Sequence, residues 1–497
     1  MSAPSLDPRS AVIARYLERR RNAPISAGDS ITKRPDGVSV EISEEQRRIW
    51  LHCAMSDCAE LYNESFTLQY RGDLNIPAFE RAFNEILKRH EAWRTKFEMS
   101  ADRVLQTVVP ELQFHLPFVD LRNVPSRQRE KRVAELLSED SKAKFDLEEA
   151  PLFRARLVRV ADLDFRFLLV AHHLIADGVS IYQIFVSELQ SCYAAFVEGR
   201  EPSLPPLPFQ YPDYAEWQRR SVARRQRETN LDFWDRELGG GLPVMNLPLD
   251  RPRSTFRKAD GGAESFRISK DITLALKQAG ESCQATLFMV LLAALNLLLY
   301  IYADDRDQVV GSATSTRKQF GTEKLLGLFI NTVVLRTRLS PEDSFLELVR
   351  RVRETTLGVL TNDVPFDVLV RRFGNEGVPS ITPLFQVMFV VEPSTVLKSD
   401  EWHIVLTDLD HAFPKSDLYV QVQENCDELI GRFIYCLDIF DAPNISRLNR
   451  LWAEVLSTVV ANPNRSLEDI ANSLRKKTEP RRISPLNWFR QRMKHSA

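Results

Sequence analysis

The sequence predicts an α+β protein of more than one lobe, and three observations carry that expectation. Its 497 residues exceed what one ordinary hydrophobic core encloses. Strand-like and helix-like patterns also alternate along the chain. The apolar run Phe165 to Val170 reads as a buried strand. Ile181, Ile184, Phe185, Leu189, Cys192 and Phe196, spaced by threes and fours, read as the apolar face of a helix. Finally, residues 200–262 are rich in proline and contain Gly239-Gly240-Gly241, a composition of loops that separates two such alternating regions.

The bulk composition narrows the function classes. Lys plus Arg number 66 against 68 Asp plus Glu, which excludes nucleic acid as the main partner. The six cysteines show neither metal nor disulfide spacing, so a reducing, cytoplasmic setting is expected. No signal peptide is read at the N-terminus. The longest apolar run, Leu287 to Tyr300, contains Asn296 and is shorter than a bilayer requires. It reads as a buried helix, and no membrane partner is expected.

Taken in order, the chain divides into residues 1–42, an appendage; 43–215, an N-terminal lobe; 216–472, a C-terminal lobe with its bridging loop; and 473–497, a basic tail. In the appendage, Asp7-Pro8 suits a helix start. Ile31 to Arg34 and Val38 to Ile42 alternate in period two around Pro35-Asp36-Gly37, the pattern of a hairpin. Ser43 is placed to cap the next helix, and Ile76 to Lys88 reads as another. In the second lobe Asp271 to Gln284 and Ala285 to Tyr302 read as helices, and Gln308 to Gly311 as a strand. Arg94 reads as a packing or salt-bridge residue. The tail reads as solvated, with Trp488 and Phe489 among its basic residues.

The chemistry concentrates at Ala171-His172-His173-Leu174-Ile175-Ala176-Asp177-Gly178. Two histidines end a strand just before a turn and a helix. Strand neighbours point to opposite faces, so only one imidazole can meet a given cavity. Their divergence, without a further His/Cys cluster nearby, speaks against metal. Gly178 permits a tight backbone at the helix start, and Asp177 can orient the turn or pair with a cation.

This string resembles that of the condensation domains of nonribosomal peptide synthetases. Ser43 to Trp50 resembles the family's opening motif, although Glu45 stands where alanine is usual. Arg89 to Phe97 matches a second motif, with Trp93 in place of leucine. Tyr211 to Trp217, Leu326 to Arg336, Asn362 to Asp367 and Pro383 to Val390 resemble others, so the likeness covers about 43–472. It implies two lobes similar to chloramphenicol acetyltransferase, arranged as a V-shaped pseudodimer. It also implies a monomeric acyltransferase with no cofactor of its own, served by the phosphopantetheine arm of an acyl or peptidyl carrier protein.

By that resemblance His173 is the base at the centre of a channel, and His172 is a structural hydrogen-bonding residue. Asp177 pairs with Arg317 and holds the loop, Gly178 lends backbone N–H to an oxyanion, and Ser180 and Asn331 lie along the channel. The first 42 residues are similar to β-hairpin docking segments, so Lys33, Arg34, Ile31, Val38 and Val40 are expected to capture an acidic motif at a carrier's C-terminal tail. The implied reaction joins a carrier-bound acyl thioester to a small-molecule hydroxyl or amine, with ester-forming chain release, as in enacyloxin-type assembly, favoured. Amide formation, epimerisation and a non-catalytic recruitment platform stay open.

Overall fold

The computed structural model describes residues 30–55, 59–225, 231–253, 260–374, 384–395, 397–405, 407, 414–425 and 428–476. The first lobe runs β1 (Val40–Glu41), α1 (Glu44–Met55), β2 (Asn63–Arg71), α2 (Ile76–Arg89), β3 (Thr95–Ser100), β4 (Arg103–Val108), β5 (Phe118–Asp120), α3 (Ser126–Lys142), β6 (Phe153–Ala161), β7 (Asp164–His172), α4 (Val186–Val197) and α5 (Tyr211–Arg225). The second runs α6 (Asp232–Leu238), β8 (Gly261–Ile268), α7 (Lys270–Ser282), α8 (Leu287–Ala303), β9 (Asp307–Ser315), β10 (Ile330–Arg338), α9 (Phe345–Thr361), α10 (Phe366–Phe373), β11 (Val387–Glu392), β12 (Trp402–Ile404), β13 (Leu418–Asn425), β14 (Glu428–Cys436), α11 (Ala442–Ala461) and α12 (Leu467–Arg475).

Each lobe is built on one sheet with helices against it. The first sheet has the order β12-β2-β7-β6-β5 and the second β10-β9-β11-β13-β14-β8. Strand β7 is apolar on both faces because both are covered. Leu168 and Val170 pack with Leu136 and Leu137 of α3, while Phe167 and Leu169 pack with Phe79 and Phe83 of α2 and with Phe185. That explains a continuous apolar run rather than an alternation. Helix α8, the longest apolar run, lies in the core of the second lobe. Among the described residues no single helix is long and apolar enough to cross a membrane. Ser43 caps α1 as its spacing predicts: its Oγ accepts from Gln46 N, while Ser43 N donates to Gln46 Oε1.

Three expectations are corrected. The hairpin over residues 31–42 does not form. Pro35-Asp36-Gly37 does turn, but Val40 and Glu41 pair with Gln106 and Leu105 of β4, which forms a sheet in the order β1-β4-β3. A two-stranded hairpin is marginal in water, and the edge of β4 offers a better partner. The helix expected from Asp7 lies outside the described residues.

The lobe boundary at 215/216 falls inside α5, and the two halves of the chain interleave. Strand β12 pairs with β2, with Trp402 opposite Tyr70 and Ile404 opposite Leu68. Leu325, Leu326, Leu328 and Phe329 bury themselves in the first lobe's core. The tail does not begin at 473 either. Leu474 is buried in α12, and Arg475 donates to Tyr300 O and reaches Asp304. Residues 477–497 lie outside the described residues.

Candidate active site

The site begins where β7 runs out. Its ladder extends by two further bonds: His172 N donates to Leu152 O and His173 N to Tyr62 O, both at 2.8 Å. The alternation of a strand then sends the two rings apart. His172 is 1 % exposed. Its Nδ1 accepts from Leu174 N at 3.3 Å, and its Nε2 lies 3.8 Å from Cys53 Sγ, with Phe145 against the ring. The proton therefore sits on Nε2, pointing at the sulfur. Burial, with His173 beside it, holds this imidazole down to about 3, so it is neutral and structural.

The ring of His173 keeps 12 % of its surface open. Its Nδ1 lies 2.7 Å from the Ala176 carbonyl, which can only accept. Nδ1 is therefore the protonated nitrogen and Nε2 carries a free lone pair. Burial pushes its proton affinity down, Lys415 pushes it further, and Glu64 opposes both. The result is a neutral imidazole whose basic nitrogen faces away from its anchoring bond, which is the form a general base needs.

Asp177 does not reach this ring with a recorded hydrogen bond. It ties the loop to the second half of the chain instead. Its Oδ1 accepts from Ser180 N at 2.7 Å and from Arg317 Nη2 at 2.8 Å, and its Oδ2 accepts from Phe329 N at 2.9 Å. The side chains of Arg317 and Asp177 are 5 % and 0 % exposed. Arg317 also donates to the carbonyls of Thr322 and Leu325, and its guanidinium stacks on Phe329 at 4.0 Å. Gly327, at φ +153°, lets Tyr211 pack close: a Cβ there would lie 2.0 Å from the tyrosine ring.

Several residues play parts other than those expected. Ser180 Oγ is fully buried; it donates to Gly327 O and accepts from Gly327 N and Arg317 Nη2. Asn331 donates to Asp363 and to Val364 O and accepts from Phe366 N. Both are framework residues, with their polar atoms spent inside the protein rather than turned to a channel. Gly178 has ordinary helical angles, φ −57° and ψ −41°. A tight backbone is therefore not what calls for glycine. A Cβ there would lie 2.5 Å from Glu392 Oε2, so the glycine admits the carboxyl of β11.

Arg94 is structural, bonding Leu87 O and Val109 O. Arg34 is 5 % exposed and pairs with Glu91 and Asp213, which leaves its charge already matched. Val40 is buried in its strand and Ile31 packs on the first lobe's core. Of the five expected docking residues, Lys33 and Val38 stay exposed.

Residues that the sequence does not single out complete the surroundings of His173. Glu64 Oε1, on β2, lies 3.7 Å from His173 Nε2 and 2.5 Å from Lys415 Nζ. Burial would raise the Glu64 carboxyl, but Lys415, His173 and Arg432 outweigh it and hold it at about 2. Glu392 Oε1 accepts from Gln421, which in turn accepts from Arg432. Burial pushes Glu392 up. A cavity between the lobes is lined by Ser65 and Phe66, next to Glu64 on β2, by Tyr182 and by Arg432 and Gln423 of the second sheet. No local pattern marks Glu64 or Lys415, because each gains its meaning from a partner across the fold.

Two interleaved α+β lobes, with a neutral and partly open imidazole where they meet, fit a transferase that works on a substrate reaching the lobe junction. The chain belongs to the condensation domain family, whose description matches residues 39–479. Condensation domains are acyltransferases that form peptide-type bonds in nonribosomal peptide synthesis and work with carrier proteins. A linear gramicidin synthase of Brevibacillus parabrevis is 34 % identical over 442 residues, 88 % of this chain but 6 % of that protein. The chain thus spans a small part of that synthase's length. Among solved structures, the X-domain in a complex of the X-domain and OxyB from teicoplanin biosynthesis is 27 % identical, with a TM-score of 0.71, over 90 % of this chain and 98 % of that one. The first condensation domain of the calcium-dependent antibiotic synthetase, in complex with a substrate analogue, shares the fold at a TM-score of 0.76 and 19 % identity, over 88 % of this chain and 99 % of that one. The expected class, α+β with two chloramphenicol-acetyltransferase-like lobes, is the fold these structures share.

Proposed function

We propose that this chain condenses a carrier-bound acyl thioester with an amine or hydroxyl acceptor, using His173 as general base. The unprotonated Nε2 of His173, on the open side of an otherwise buried ring, carries the reading. The acceptor gives its proton to Nε2 as its nitrogen or oxygen attacks the thioester carbonyl. The carbon–sulfur bond then breaks, and the thiolate of the carrier's phosphopantetheine arm regains the proton from the ring. Holding both reactants in one passage supplies much of the rate, and a placed base adds about 10²–10⁴-fold. The backbone N–H of Gly178, at the start of its helix, is the donor assigned to the oxyanion.

The family's chemistry favours an amine acceptor; ester-forming chain release is the alternative product of the same machinery. Incubation with an acyl-loaded carrier and mixed amine and alcohol acceptors, read by intact-mass spectrometry, tests the proposal and assigns the bond. Near-parent turnover by a folded His173→Ala variant refutes the base. A second reading, a recruitment platform, draws on the similarity to the X-domain found in complex with OxyB. It predicts no product with any acceptor.

A further inference from the structure

We propose that Glu64, clamped by Lys415 from the second half of the chain, is a positioning residue that sets the proton affinity of His173 from the side of its reactive nitrogen. The inference rests on the reading of His173 as base and adds the group that tunes it. Because His173 Nδ1 is committed to Ala176 O, an added proton can only go to Nε2. Glu64 Oε1 lies 3.7 Å from that atom. This is too long for a hydrogen bond and short enough for a strong Coulomb interaction in a partly buried site. When the acceptor's proton arrives, the ring becomes a cation facing a carboxylate. The attraction exists only in that state, so it favours proton transfer rather than substrate binding.

The clamp comes from far along the chain. Lys415 Nζ lies 2.5 Å from the same Glu64 oxygen, across 351 positions of sequence. It holds the carboxylate in place and partly neutralises it, so the two residues act on the ring in opposite senses. The other charged groups nearby are His172 and Asp177 beside the ring, and Arg432 and Glu392 facing Glu64 from β14 and β11. All four stay in place in the variants below. The strand position leaves room for the effect: Glu64 pairs with Ala171, two residues before His173 on the neighbouring strand.

The test follows the His173 ring directly. In the full chain, ¹⁵N-labelled imidazole signals are titrated by NMR for the parent, Glu64→Gln and Lys415→Met, with His173→Gln identifying the signal. The midpoint in Glu64→Gln is expected to fall by about one pH unit or more, a tenfold or greater weakening of proton binding. In Lys415→Met it is expected to rise. In single-turnover assays with an acyl-loaded carrier, the acidic limb of the rate profile moves the same way, and kcat in Glu64→Gln drops about tenfold with KM unchanged.

An unmoved midpoint and an unmoved rate profile in a folded Glu64→Gln protein overturn the proposal. Should that variant fail to fold, the absence of a rise in Lys415→Met overturns it. Loss of turnover in His173→Gln beside an unmoved midpoint in Glu64→Gln refutes the role of Glu64 alone. Near-parent turnover in His173→Gln refutes the base itself.

Discussion

Replacing Asp177 with alanine tests how the histidine loop is held. The carboxylate has three partners, the guanidinium of Arg317 and the backbone N–H groups of Ser180 and Phe329, and all lie in the interior. Breaking a buried ion pair from one side costs about 3–5 kcal/mol, because the remaining charge stays desolvated. Each orphaned buried N–H adds about 1–3 kcal/mol, partly overlapping with that cost. A total of about 5 kcal/mol follows. An unfolding entropy of about 2.1 cal/mol/K per residue gives about 1 kcal/mol/K over 497 residues. Asp177→Ala should therefore lower Tm by about 5 °C and shift the urea midpoint in the same sense. Adding Arg317→Met removes the stranded charge, so the double variant should recover part of the loss, whereas two independent residues would show additive costs. Calorimetry and urea titration of the four proteins measure this. A parent-like Tm in Asp177→Ala, with the chemical rate alone reduced, refutes the structural assignment.

Gly178→Ala keeps a permitted backbone but sets a Cβ 2.5 Å from Glu392. It should displace that carboxyl and lower turnover more than it lowers Tm, which steady-state kinetics beside calorimetry will read. Burial and His173 hold His172 at about 3, while an unfolded histidine titrates near 6.5, so below pH 6.5 the unfolded chain takes up a proton that the native state refuses. Stability from this residue is complete above pH 6.5 and falls by about 1.4 kcal/mol per pH unit as acid is added, about 2 kcal/mol by pH 5. His172→Phe should flatten that slope in urea titrations at a series of pH values, and an unchanged slope refutes the neutral, buried assignment. Arg34→Ala leaves Asp213 and Glu91 without their cation and should cost about 2–4 kcal/mol in urea unfolding. Unchanged stability with a raised KM for a tailed carrier would restore Arg34 to docking.

Much of the first lobe was legible from local pattern. The capping pair Ser43 and Gln46, the helix from Ile76 and the buried run before His172 each announce themselves within a few residues, because a cap or a 3.6-residue period is a local property. The hairpin failed for the opposite reason. Period-two alternation shows that Val38 to Ile42 wants a strand partner but not which one, and β4 lies more than sixty positions away. Gly178 shows the same limit: the residue was marked by the motif, but the carboxyl that forbids a side chain there belongs to β11.

Read alone, the chain determined its class, its family likeness and the pair of imidazoles, since strand alternation by itself sends one ring inward and leaves the other for chemistry. Only the tertiary structure decided which nitrogen of His173 is free, and that Ser180 and Asn331 are framework. It alone brought Glu64 and Lys415 to the ring and carried β12 into the other lobe's sheet. The reason is distance along the backbone: these contacts join positions from about 140 to 351 residues apart, and such pairings are set by how whole sheets pack rather than by any pattern a short window contains.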